Sequence, residues 1–268
     1  MTLTKGYSPG GGGQIHWRIW TSTTEPSQPD LVCLHPAPLS GLVFQNIAPL
    51  LAKDRRIIAP DYPGYGGSSP IERQPRISDY SASLEELARD LCGDVEVDVL
   101  GFHTGCLVAA EWSITIPSRV RKACLIDIPA LESGEAAPLA IKYREPFVPG
   151  EDLSSLGPIW ERTYRIRRET QGEEQGFGIF VEQLRAGAGM NQAFHAAFSY
   201  PWAERFPQIS CETMVLASQS GLLDGTRAAH EVIPDARLVE RLDIKRSVLD
   251  EAAELTAAEV LSFLDRST

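Results

Sequence analysis

Val95-Glu96-Val97-Asp98-Val99-Leu100-Gly101-Phe102-His103-Thr104-Gly105, followed by Cys106 to Thr115 (CLVAAEWSIT), decides how this chain is read. Val95 to Leu100 reads as a short, β-branched strand, and Gly105 to Thr115 as a helix. Between them, two glycines four residues apart frame a tight strand–turn–helix elbow. Such a turn is strained and packs closely against its neighbours, so side chains at the flanking positions are excluded. The central residue is left at the tip. Here it is a histidine, His103.

Outward from the elbow, the chain alternates strand and helix. Gly10 to Gly13 reads as a flexible lead-in, and Gln14 to Thr21 (QIHWRIWT) alternates like an outer strand. Asp30 to Leu34 is a buried strand ending at His35-Pro36-Ala37-Pro38. A helix over Leu42 to Ala52 and a strand over Arg56 to Pro60 come next, then the glycine-rich loop Asp61-Tyr62-Pro63-Gly64-Tyr65-Gly66-Gly67-Ser68. Leu84 to Leu91 reads as a helix and Ala123 to Ile128 as a strand. This alternation predicts an α/β fold with a mainly parallel sheet covered on both faces.

The rhythm breaks between about Pro129 and Pro207, where helix-like pieces have no strand between them. The expected organisation is a core of residues 1-130 and 208-268 with a helical lid, 131-207, inserted into it. The alternation resumes with Thr213 to Ala217, Gly225 to Val232, Arg237 to Leu242 and Asp250 to Leu264.

With 268 residues, 43 % of them hydrophobic, the chain is long enough for one large domain with a full core. A net charge of -11 argues against nucleic acid and against an anionic membrane surface. The five cysteines are scattered and form no Cys-x-x-Cys pair, so neither a zinc site nor a disulfide framework is indicated. Reduced thiols in a cytoplasmic protein are the expectation. The N-terminus has no apolar core of signal-peptide length, and no stretch is long enough to span a bilayer. No phosphate loop, dinucleotide fingerprint or metal cluster is present, so no cofactor or metal is expected. The expected partner is a small-molecule substrate, and assembly into a homo-oligomer is compatible with the sequence.

In chain order, several motifs resemble those of the α/β-hydrolase superfamily. His35-Pro36 is similar to the His-Gly step of its oxyanion loop, Asp61 to Ser68 to its Asp-x-x-Gly-x-Gly-x-Ser loop, and the Gly101 to Gly105 frame to its nucleophile elbow. The resemblance covers nearly the whole chain outside the lid and implies the α/β-hydrolase fold. It implies oxyanion-binding N–H groups from the residue after the elbow, Thr104, and from the loop near Ala37. Pro36 replaces the usual glycine and has no N–H to offer.

The superfamily's triad is not matched. Its acid follows a strand like Thr213 to Ala217, yet that position falls on Gly221, with Asp224 three residues late. Asp224 serves if the loop is remodelled, and otherwise caps the helix near Gly225. Asp127, at the end of its strand, is the alternative acid. No histidine exists after His230, and Arg246 stands nearest the missing triad histidine with Lys245 beside it. A conventional Ser-His-Asp hydrolase is therefore excluded.

His103 remains as a general base or nucleophile. A helix N-terminus and nearby Lys245 or Arg246 disfavour imidazolium, so neutral imidazole is expected. Two routes stay open: attack by His103 on an acyl group, or base catalysis on water or substrate while Arg246 or Lys245 holds an anionic group. The substrate bond is an ester, a lactone or a C–C bond, cleaved hydrolytically or by a lyase reaction. The alternative is a catalytically silent protein that binds a small apolar ligand under its lid.

His35 is expected to brace the oxyanion loop and is also a candidate substrate contact, with Trp160, His195 and Phe198 of the lid. Lid aromatics such as Tyr164, Phe177 and Phe180 suggest an apolar or aromatic substrate. Cys106 reads as a small buried helix residue, and Arg162 to Arg168 (RTYRIRR) as a solvated helix face.

Overall fold

The computed structural model describes residues 1–245 and 247–266. The first two strands, β1 (Thr2–Gly10) and β2 (Gly13–Thr21), form an antiparallel hairpin paired along its whole length. Gly10 to Gly13 is thus not a loose lead-in. Gly11 and Gly12 sit at φ +63° and +79°, the positive values a two-residue hairpin turn needs at both positions. A glycine pair between two runs was the available signal for β1.

Six further strands complete the sheet: β3 (Leu31–Leu34), β4 (Ile57–Pro60), β5 (Val97–Phe102), β6 (Val120–Ile126), β7 (Glu212–Ser218) and β8 (Arg237–Arg241). Their spatial order is β1-β2-β4-β3-β5-β6-β7-β8, antiparallel at β1–β2 and β2–β4 and parallel elsewhere. This is the expected α/β architecture.

The helices of the first half are α1 (Ala48–Leu51), α2 (Ile77–Cys92) and α3 (Thr104–Thr115). Between β6 and β7 lie α4 (Ser133–Lys142), α5 (Gly157–Trp160), α6 (Ile166–Gln171), α7 (Glu173–Arg185), α8 (Gln192–Phe198) and α9 (Trp202–Arg205), and no strand among the described residues. The last two are α10 (Leu223–Val232) and α11 (Ala253–Leu264).

Two helix expectations need correction. The helix expected over Leu42 to Ala52 is a 3₁₀ turn, Gly41–Phe44, with α1 standing separately after it. Pro49 explains the break, because it lacks the N–H a continuous helix would use and its ring crowds the preceding turn. Helix α2 begins seven residues before Leu84, where Asp79 accepts a hydrogen bond from the Arg76 N–H at 2.7 Å. Its serines, Ser78, Ser81 and Ser83, disguise that start because serine competes for backbone hydrogen bonds.

Strand side chains alternate between two apolar clusters, one on each face. Val32 and Leu34, Val97 and Val99, and Ala123 and Leu125 join α2, α3 and α8 residues such as Leu84, Trp112 and Ala193. Leu31 and Cys33, Cys124 and Ile126, and Met214 and Leu216 face α1 and α11 through Leu51, Val260 and Leu264. With both faces covered, β3 (LVCL) and β4 (IIAP) are wholly apolar, while Asp98 of β5 and Arg121 and Lys122 of β6 interrupt otherwise apolar strands.

Asp61 ties β2, the turn after β3 and its own glycine-rich loop together. Asp61 is fully buried and accepts from Arg18 (2.7 Å), His16 Nδ1 (2.7 Å), Gly41 N–H (2.8 Å) and Gly67 N–H (2.9 Å). A Cβ on Gly66 would lie 2.0 Å from Asp61 Oδ2, so the loop's glycine is sterically required. Burial raises the Asp61 carboxyl, yet the His16 hydrogen bond, the Arg18 charge and the Gly67 N–H together hold it down at about 2. A depressed carboxyl contributes stability above its unfolded value of roughly 3.9, lost as pH falls through about 2. Asp61→Asn is therefore expected to cost about 2–3 kcal/mol in urea unfolding at pH 7. The gap from wild type should narrow progressively below pH ~4; a gap unchanged at pH ~2 would show that its charge is not what stabilises the loop.

Candidate active site

Position 103 links β5 to α3 with φ 50° and ψ −116°, a conformation that a residue bearing a Cβ rarely adopts. Such strain persists only where the surroundings enforce it, and here they do. The His103 N–H donates to Ile126 O at 3.1 Å, and the Cys106 N–H donates to His103 O at 2.8 Å. A Cβ on Gly101 would stand 2.6 Å from Cys106 N, and one on Gly105 would stand 2.0 Å from Leu34 O. Elbow, strand β3 and helix α3 are thus in backbone contact. The ring of His103 lies against Phe102, centroids 4.0 Å apart, and among the described residues no protein group hydrogen-bonds it.

His103 lines a cleft of about 340 Å³ at the carboxyl ends of the parallel strands, where open α/β sheets place their ligands. Pro36, Ala37 and Leu39 come from the loop after β3, Asp127 from the end of β6, and Ser218 and Ser220 from the end of β7. Lys245 and Ser247 to Asp250 come from the loop after β8, while Arg162, Ile166, Arg167, Gln171 and Ile179 come from the helical segment between β6 and β7.

Of the residues singled out from sequence, the cleft gathers His103, Ala37, Asp127 and Lys245. Arg246 lies outside the described residues. Thr104 is buried at the first turn of α3, where its N–H has no intrahelical acceptor.

Asp224 is not brought to His103. It sits in the first turn of α10 with a fully exposed side chain, 3.8 Å from Arg227. Nor does it cap α10, whose N-cap is Leu222 with no side-chain capping bond; it lies within the first turn, where a negative charge suits the helix end.

His35 does not reach the cleft either. It is fully buried, donating from Nδ1 to Pro36 O (3.0 Å) and accepting the Tyr62 N–H at Nε2 (3.0 Å). It braces the loops after β3 and β4, and burial pushes it down to about 4.

The lid aromatics turn away from the cleft and pack on one another. Trp160 lies 4.1 Å from Tyr164 and 5.1 Å from Phe180, ring to ring. Phe198 packs with Phe194 and Tyr143. His195 Nδ1 donates to Ala140 O at 2.8 Å and borders a separate cavity beside α2 and α9. Cys106 is buried, with its thiol donating to Gly101 O and Ile126 O at 3.2 Å, and burial pushes that thiol up.

Three charged cleft residues escaped the sequence reading. Arg162 and Arg167 belong to the run read as solvated; Arg162, Arg165 and Arg168 are exposed as read, whereas Arg167, beyond a π turn over Glu161–Arg165, is half-buried. An extra residue per turn re-phases the helix, so a periodicity count misplaces the residues beyond it. Asp250 opens the loop into α11 and looks, in sequence, like any helix-start aspartate. Only its place between the last strand and last helix hinted at the site.

The cleft's electrostatics favour a neutral imidazole. Burial pushes His103 down to about 4, and the Arg167 guanidinium adds to that. The sequence reading had the direction but assigned it to the helix end and the 245–246 cations. Asp127 is raised by burial, offset by the Ser218 O–H (2.7 Å) and N–H (2.8 Å) that donate to it. Asp250 is raised to about 6 by burial, offset by Arg167 and by donation from Asn46, Gln175 and Gln171. Among the described residues no cluster of His, Cys, Asp and Glu is arranged to hold a metal, and no helix is long and apolar enough to cross a membrane.

A family model described as alpha/beta hydrolase fold matches residues 29–168. Pimeloyl-[acyl-carrier protein] methyl ester esterase of Photobacterium profundum is 34 % identical over 101 residues, 37 % of this chain and 37 % of that protein. A 2-hydroxy-6-oxononadienedioate/2-hydroxy-6-oxononatrienedioate hydrolase of Pseudomonas putida is 33 % identical over 82 residues, covering 31 % of this chain and 29 % of that protein. These alignments span about a third of each curated relative. Among solved structures, the enol-lactonase of Burkholderia xenovorans LB400 superposes with a TM-score of 0.80 at 18 % identity, over 97 % of this chain and 100 % of that one. At that identity it speaks for the fold.

Proposed function

From the premise that this chain belongs to the α/β-hydrolase fold family, we propose that it is an esterase-like hydrolase of small molecules whose chemistry runs through His103. The observation that carries this reading is the strained backbone of position 103, which holds an imidazole at the floor of the cleft. A strained residue facing a cleft is where function is to be sought.

In the proposed mechanism, neutral His103 takes a proton from water as the water oxygen attacks the acyl carbon of an ester or lactone. The N–H groups of Thr104 and Ala37 receive the developing oxyanion. Collapse breaks the acyl–oxygen bond, and imidazolium returns the proton to the departing alkoxide. No second histidine is needed, because the base acts on water directly. Residues 131–207 serve as the lid, and Asp127 or Asp250 offsets the imidazolium charge. The likeness over part of the chain to a 2-hydroxy-6-oxononadienedioate/2-hydroxy-6-oxononatrienedioate hydrolase adds that compound class to the substrate panel.

A second reading is binding without turnover, favoured by the lack of any carboxylate hydrogen-bonded to the His103 ring among the described residues. The pH dependence separates them. With His103 held near 4, kcat/KM for a p-nitrophenyl ester or lactone is expected to rise with pH through about 4 and to be level by about pH 6. A base near the ordinary histidine value of roughly 6.5 would instead double its rate between pH ~6.5 and 8. That profile, or no turnover across the panel, would count against His103 acting as described.

A further inference from the structure

Of the cations that line the cleft, Arg162 and Lys245 are exposed and Arg167 is half-buried; a histidine-centred hydrolysis gives Arg167 no contact with substrate. Its neighbours on the outer side of the same run pair with acids, Arg165 with Glu161 and Arg168 with Glu173. Arg167 is half-buried in the cleft wall and pairs with no carboxylate among the described residues. Among the described residues its guanidinium reaches only the Arg162 and Thr163 carbonyls, at 3.5 and 3.4 Å, the outer limit of a hydrogen bond.

The acids in the cleft are already engaged elsewhere. Both Asp127 oxygens accept from Ser218, at 2.8 and 2.7 Å. Asp250 accepts from Asn46 (3.0 Å), Gln175 (3.0 Å) and Gln171 (2.5 Å). Asp250 lies close enough to feel the Arg167 charge but makes no ion pair with it, so the planar fork of donors, half-withdrawn from water, is left open to a carboxylate. Much of the remaining wall is apolar, from Leu39, Val43, Ile166, Ile179, Val248 and Leu249.

We propose that the cleft selects small carboxylate-bearing substrates, with Arg167 gripping the carboxylate while an apolar body lies along the wall and the scissile acyl group meets His103. A cleft near 340 Å³ admits a molecule of that kind and little more. Asp127 and Asp250 nearby disfavour a second negative charge, so a monoanionic carboxylate fits better than a phosphate dianion. Lys245, exposed at the mouth, draws the anion in against the chain's overall charge of -11. The turnover part of this proposal rests on the hydrolytic reading of the same cleft; the binding part does not.

The test begins with binding, monitored by tryptophan fluorescence. Wild type is expected to bind phenylacetate at least ~10-fold more tightly than neutral phenylacetamide or dianionic phenyl phosphate. Arg167→Gln should lose the preference for acid over amide, and Arg167→Lys, with a charge but no fork, should keep part of it. Thermal melts confirm folding of each variant, and the lysine variant decides if the glutamine one does not fold. In turnover, the kcat/KM ratio of mono-p-nitrophenyl glutarate to p-nitrophenyl butyrate should fall at least ~10-fold in Arg167→Gln, through KM. Equal binding of acid and amide by wild type, preference for the phosphate, or a preference that survives Arg167→Gln would overturn the proposal. An Arg167-dependent preference with neither ester turned over would leave the anchor standing and remove the hydrolytic reading instead.

Discussion

Gly105→Ala is expected to destabilise the protein by about 3 kcal/mol or more, lowering its melting temperature by roughly 6–12 °C. The cause is a collision with main chain, not with a movable side chain. The added Cβ would meet Leu34 O at 2.0 Å and Leu34 C at 2.7 Å. Relief requires α3 to lift from β3, which breaks the contact that positions the elbow. Activity should fall with stability, since His103 is carried by the same turn. Gly178→Ala provides the contrast: it lies within α7 with nothing within 4 Å of its added Cβ. There alanine should raise stability by about 0.5–1 kcal/mol through helix propensity. Calorimetry of both variants checks the pair. A Gly105→Ala protein that melts like wild type would mean that the elbow does not depend on this close approach.

The parts of the fold legible in sequence are those whose physics is local. Alternation gave β2, short apolar runs gave β3 to β8, and the Gly101–Gly105 frame gave the elbow, because all are written in neighbouring residues. Helix α2 was half-read, since serines mask its first turns. Strand β1 was missed because its side chains are mostly exposed and only the Gly11–Gly12 turn marks it.

The candidate site divides in the same way. His103, Ala37 and Asp127 sit at strand ends, which sequence order fixes, and all three line the cleft. Asp224 was a count along a loop whose length departs from the family pattern, and that count led to the surface. Arg167 was hidden by a π turn, and the lid aromatics were assigned to substrate although they satisfy one another. Where a side chain's direction depends on how one helix meets another, composition cannot supply it.

His103→Ala carries the largest expected effect on activity, a loss of about 10²–10⁴-fold in kcat with the fold intact. The elbow is held by backbone hydrogen bonds from His103 N–H and to His103 O, which alanine retains. No protein group among the described residues relies on the imidazole for a hydrogen bond, so its removal leaves none unsatisfied. What disappears is the imidazole of the cleft, the base of the proposed mechanism. Glutamine at the same position keeps most of the bulk but no base, and is expected to be as inactive as alanine.

The measurement that bears most directly on His103 is therefore turnover of a panel of activated esters and lactones by wild type beside His103→Ala, at equal concentration and with melting curves matched. Hydrolysis by wild type that falls at least ~10²-fold in the variant is the expected result. Equal rates in the two proteins, or no turnover in either, would contradict a histidine-centred hydrolase and leave ligand binding as the function of the cleft.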